Sequence, residues 1–121
     1  MDPYCRYDLK GFSNDLGLPI EDIADLFSDL IKEFNSEIHE IKTYLKKKDL
    51  EQLKRINHNI KGISANYRIQ DIYEETLKIS YALTKSNYKD IETLYDNFFV
   101  VFENAARDIT CYFRRKGSLI T

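Results

Sequence analysis

The chain has 121 residues, 43% hydrophobic and 31% charged, a balance suited to one folded domain with a single modest core. Eighteen basic and twenty acidic residues leave a net charge of −2, and no arginine-rich stripe with interleaved aromatics occurs, which argues against a general nucleic-acid binder. The longest purely apolar run, Phe98 to Phe102, is far too short to cross a bilayer, so no membrane segment is expected.

Four glycines and two prolines punctuate the sequence, and both prolines fall in the first 19 residues. The remainder carries few breakers, which predicts an all-α chain. The opening Met1-Asp2-Pro3 has no basic-then-apolar leader pattern. Cys5 and Cys111 stand far apart without metal-ligand spacing, so free thiols in a reducing cytoplasm are expected.

A short helix is predicted over about 8–16, where Leu9, Phe12 and Leu16 share a face, and it stops at Gly17. The next helix, about 19–47, opens on Pro19 with Glu21 and Asp22 set against the N-terminal dipole. Its stripe is Ile20, Ile23, Phe27, Leu30, Phe34, Ile38, Ile41 and Leu45, and Lys46-Lys47-Lys48 closes it. Asp49 with Gln52 three residues on resembles a capping box and starts a helix at about 50–66. A link this short favours an antiparallel pair.

The stripe of that third helix, Leu53, Ile56, Ile60, Ile63 and Tyr67, is out of phase with the one that follows, Ile69, Ile72, Thr76, Ile79 and Leu83. One straight helix cannot turn both to a single core. A turn is therefore expected near Asn66 to Ile69, with a fourth helix over about 69–84. Thr84 to Asn87 reads as the next connection, Asn87 as an N-cap, and the last helix, about 88–113, carries Ile91, Leu94, Phe98, Phe102, Ala105 and Ile109. The expected architecture is an up-down antiparallel four-helix bundle with a short extra N-terminal helix, all 121 residues forming one domain.

Chemistry concentrates in His58-Asn59-Ile60-Lys61-Gly62-Ile63-Ser64-Ala65. At about 100° per residue, His58 lies opposite the centre of the apolar stripe, with Gly62, Ala65 and Lys61 around it. Lys54 and Arg55, one turn back, flank the same side. The pattern is an exposed nucleophilic imidazole beside cations able to hold an anion, on a nearly bare helix surface. Gly62 in a helix interior costs about 1 kcal/mol against alanine, and close approach of a partner is the expected reason. His39 also has a lysine three residues on, Lys42, but then Thr43 and Lys46 in place of small residues; it reads as an ordinary surface histidine.

Residues 57–69 resemble the signature of histidine-containing phosphotransfer (HPt) domains, His-x-hydrophobic-Lys-Gly-x-small, matched by His58, Ile60, Lys61, Gly62 and Ser64. The resemblance implies a four-helix bundle with His58 exposed on the second core helix. It implies a phosphorelay intermediate: His58 takes a phosphoryl group from an aspartyl-phosphate on a response-regulator receiver domain, or the receiver of a hybrid histidine kinase, and passes it to another receiver. Lys61 would stabilise the phosphoryl group, Gly62 would make room for the receiver, and Lys54, Arg55 and Ala65 would border the docking face. Ser64 is expected to serve helix packing. No cofactor of its own is implied, Mg²⁺ being expected on the receiver only. A glycine usual ten residues after the histidine is replaced by Arg68, so the turn there must be made otherwise, with Asn66 a candidate, and Arg68 becomes a candidate docking residue. Leu16 and Leu18 are candidates for an apolar patch beside the histidine.

No ATP-binding glycine-rich loop occurs, so autophosphorylation is not expected. The alternatives are an adaptor that docks receivers without transfer, and the phosphotransfer module of a larger hybrid or chemotaxis-type kinase. Opening on Met1 with a whole bundle, the chain is expected to be free-standing, cytoplasmic and monomeric.

Overall fold

The computed structural model describes residues 5–117. The opening Met1-Asp2-Pro3 lies outside them. Among the described residues the chain is all-helical: α1 (Leu9–Leu16), α2 (Ile20–Lys47), α3 (Leu50–Asn66), α4 (Gln70–Lys85) and α5 (Tyr88–Arg115).

The helix starts follow from their caps. Asp8, Asp49 and Asn87 accept hydrogen bonds from the amides of Gly11, Gln52 and Asp90, each satisfying a first-turn donor that no carbonyl can reach. Pro19 precedes α2 without a side-chain cap, and Glu21 and Asp22 supply the favourable charge there. The ends are less regular. Gly17 closes α1 in the left-handed region at φ 67°, but Lys48, Arg68 and Ser86 enter it as well, at 54°, 59° and 54°. The turn after α3 is thus made by Arg68 itself, not by Asn66. Its neighbours complete a Schellman-type closure: the Tyr67 amide donates to Ile63, that of Arg68 to Ala65, and that of Ile69 back to Ser64.

Helix α2 packs on α3 and α5, α4 packs on α3 and α5, and α1 lies on α2. The apolar stripes meet inside: Ile23, Phe27, Leu30, Phe34 and Ile41 face Leu53, Ile56 and Ile60, then Ile72, Ile79 and Leu83, then Ile91, Phe98, Phe102 and Ile109. Phe27 is the hub of the α1 end, its ring against Phe12, Tyr67 and Phe113. The stripes are not buried evenly, and Ile20, Ile38, Leu45, Ile63 and Tyr67 are only partly covered. Leu16 is 49% exposed, and Leu94 is half-buried because Tyr95, 1% exposed, takes the inward place beside it. Tyr112 and Phe113 extend the α5 core beyond Ile109.

The segment before α1 is fixed by polar contacts that span the sequence. Arg6 pairs with Asp71 at the start of α4 (3.1 Å) and with Asp108 of α5 (2.7 Å). The Tyr7 hydroxyl donates to the Asp71 carboxylate at 2.9 Å. Burial, then the hydrogen bond to Asp71 and that carboxylate's charge, raise the Tyr7 pKa, so the phenol keeps the proton it donates.

Candidate functional site

Helix α3 buries Leu53, Ile56, Asn57, Ile60 and Ser64 and turns His58, Gly62 and Ala65 outward. These three positions, at i, i+4 and i+7, form a strip along one face. A Cβ built on Gly62 would meet nothing within 4 Å. No packing inside the chain therefore asks for glycine there, and what the residue provides is open surface one turn from His58.

On the flank toward α4, His58 opens on a cavity of about 240 Å³. Lys54 and Lys61 line it from α3, Ser80 and Thr84 from α4, with Asn57 between the two helices. Lys54 and His58 are exposed and Lys61 half-buried, so an anion on the imidazole would have an ammonium one turn to either side.

Asn57 is 3% exposed, and its amide donates to the Thr76 carbonyl (3.0 Å) and to Ser80 Oγ (2.8 Å). Neither Asn57 nor Ser80 follows from the motif. The signal for Asn57 was helical phase: it lies four residues after Leu53 and three before Ile60, where a polar side chain faces inward and needs a partner.

The remaining candidates divide. Ser64 is fully buried and donates to the Ile60 carbonyl (2.7 Å), as expected of a packing residue. Arg55 is committed away from the cavity, donating to Gln52 (2.7 Å) and lying 3.8 Å from Glu40 of α2. Arg68 lies two residues beyond the end of α3, whose last residue is about 12 Å along the axis from His58. It pairs with Asp15 (2.8 Å) over the ring of Phe12 and so ties α1 to the end of α3. Leu16 and Leu18 are exposed, but on that same α1 end and outside the His58 cavity. His39 is an exposed residue of α2, and Cys111 is half-buried.

Across α3 from the cavity, Glu37 of α2 is half-buried with Oε2 lacking a hydrogen-bond donor. Burial, then the charges of Glu33 and Glu40, push its carboxyl up to about 7, against the opposing pull of Arg55. On the far side of α4 a larger groove, about 620 Å³, runs along α5 between Leu77, Tyr81, Ala82 and Leu94, with Lys78 and Lys85 on its rim. It holds no histidine or thiol.

Among the described residues no group of three or more His, Cys, Asp or Glu side chains converges to hold a metal ion. No described helix is long and apolar enough to cross a membrane. No protein-family model matches the chain, and no curated protein or solved structure does either.

Proposed function

We propose that the chain is a histidine phosphotransfer module of a phosphorelay, built as an up-down antiparallel bundle of α2 to α5 with α1 across one end. The bundle reading is supported by pairs that lie at nearly equal distances from the link between their helices: Glu40 with Arg55, Asn57 with Ser80, and Glu75 with Asn97. The functional reading is carried by one observation: an exposed imidazole flanked by two lysines, on a strip whose glycine has no packing reason.

The chemistry asks little of such a module. The His58 nitrogen that carries the lone pair attacks the phosphorus of an aspartyl-phosphate in line. As the N–P bond forms, the P–O bond to the aspartate breaks, and its electron pair leaves with the carboxylate; the other ring nitrogen keeps its proton. Running the step backward onto a second carboxylate completes the relay. Lys61 and Lys54 meet the charge on the phosphoryl oxygens, and the helix holds the imidazole in position, so catalysis is positioning plus electrostatics. A Mg²⁺ ion on the receiver would neutralise charge from the opposite side. Gly62 and Ala65 let the receiver's pocket close over the ring.

The test is transfer from receiver domains phosphorylated on aspartate, with acid-labile, base-stable label sought on this chain and on His58→Gln. Label on the wild type alone establishes the relay role. Binding of a receiver without label assigns the adaptor role instead.

A further inference from the structure

Besides His58 and the two lysines, three polar residues line the cavity: Asn57, Ser80 and Thr84. Asn57 is buried between α3 and α4, and burying an amide is costly unless its hydrogens are placed. They are placed on the Thr76 carbonyl and on Ser80 Oγ. An amide N–H only donates, so Ser80 is the acceptor and its own hydroxyl proton is not used in that bond. Among the described residues Ser80 donates to no other group, and it lines the same cavity as His58, Lys54 and Lys61.

A phosphoryl group presents three acceptor oxygens. The cavity offers them two ammonium groups from α3 and, from α4, the Ser80 hydroxyl, since the Thr84 hydroxyl already donates to the Tyr81 carbonyl at 2.6 Å. Its 240 Å³ is several times the volume of a water molecule, enough for a phosphoryl group on the ring. We propose that Ser80 donates a hydrogen bond to the phosphoryl group carried on His58, and that Asn57 is the positioning residue that aims it. This rests on the phosphotransfer reading above. No bond is made or broken at Ser80: the phosphorus moves between carboxylate oxygen and imidazole nitrogen as before. Because the Asn57 amide occupies an acceptor lone pair of Ser80, the serine hydrogen is turned away from α3's interior and toward the cavity. The arrangement also makes the α3–α4 packing part of the site, since the donor reaches the phosphoryl group only in this register.

Potassium phosphoramidate is the probe, a small donor that phosphorylates histidine without a receiver. The rate of loading and the ³¹P resonance of the phosphohistidine are read for wild type, Ser80→Ala, Ser80→Thr, Asn57→Ala and the Asn57→Ala/Ser80→Ala pair, with folding checked by circular dichroism. Loading of Ser80→Ala is expected to slow about tenfold, the loss of one hydrogen bond to a charged group. Its ³¹P resonance should move, and Ser80→Thr, which keeps the hydroxyl, should restore both. Asn57→Ala should slow loading, and the pair should load no more slowly than Ser80→Ala alone, because Asn57 acts through Ser80. Should Ser80→Ala melt, Ser80→Cys, a weaker donor of similar size, takes its place. A folded Ser80 variant that loads at the wild-type rate with an unmoved resonance overturns the proposal while the phosphotransfer reading stands. A wild type that takes no phosphoryl group on His58 from phosphoramidate or any receiver overturns both.

Discussion

Arg68 offers a measurable trade between backbone strain and side-chain contacts. It sits at φ 59°, a conformation that costs an L-residue about 1–2 kcal/mol through the clash of Cβ with the following carbonyl. Two contacts offset this. The pair with Asp15 is short, 2.8 Å, but its side chains are 51% and 60% exposed, so it contributes only about 0.2–0.5 kcal/mol. The guanidinium over Phe12, 5.6 Å from the ring centre, adds about 0.5 kcal/mol. Arg68→Ala removes both contacts and keeps the strain, and should destabilise by about 1 kcal/mol. Arg68→Gly removes the same contacts and the strain, less about 0.4–1 kcal/mol for the freer unfolded glycine, and should come out within about 0.5 kcal/mol of wild type. The glycine variant should therefore exceed the alanine variant by about 1 kcal/mol, or about 4 °C in Tm. Urea unfolding with a shared m-value measures this directly. A glycine variant no more stable than the alanine variant would refute the claim that the turn after α3 is strained.

Two further outcomes follow from single side chains. Glu37 holds its proton in the folded state up to about 7, whereas the unfolded chain loses it near 4.5. Its contribution is therefore full below that lower value and is lost as pH rises through about 7, a decline of roughly 1–2 kcal/mol once solvent screening of the half-exposed carboxyl is discounted. Glu37→Gln should flatten this slope in melts between about pH 4 and 8, and an unchanged slope would mean the carboxyl titrates normally. Gly62→Ala meets open space and should stabilise α3 by about 0.5–1 kcal/mol. Gly62→Gln should also fold well yet slow transfer from a receiver, and unimpaired transfer in that variant would remove the reason assigned to the glycine.

The helices were legible because their signals agree. The caps Asp49 and Asn87, the lysines closing α2 and the phase jump between Tyr67 and Ile69 all report local backbone needs that a single segment can state. The outward direction of His58 followed from the same phase. What periodicity could not show was which neighbour each side chain would find. Arg55 and Arg68 carry the same charge, and only the packing of α2 and α1 reveals that Glu40 and Asp15 engage them. Asn57 with Ser80, and buried Glu75 with Asn97, are partnerships between helices whose members are 23 and 22 residues apart. At Tyr95 an aromatic ring takes a fully buried place next to Leu94, which packs on the core only in part, and the stripe Ile91, Leu94, Phe98 passed over it.

The contacts of Arg6 bear on how the chain reaches this state. Its partner Asp108 lies 102 residues away, and Asp71 lies beyond three helices. During synthesis, then, Arg6 and Tyr7 can meet Asp71 once α4 has left the ribosome, but the Arg6–Asp108 pair waits for most of α5, and closing so large a loop comes late in entropy as well as in time. The segment before α1 acts as a completion mark. A chain halted before Asp108 can pair α2 with α3 and α3 with α4 and can hold Arg6 and Tyr7 on Asp71, but it lacks the tie to α5, so a chain truncated there should be cleaved faster within residues 5–8 than one that contains Asp108.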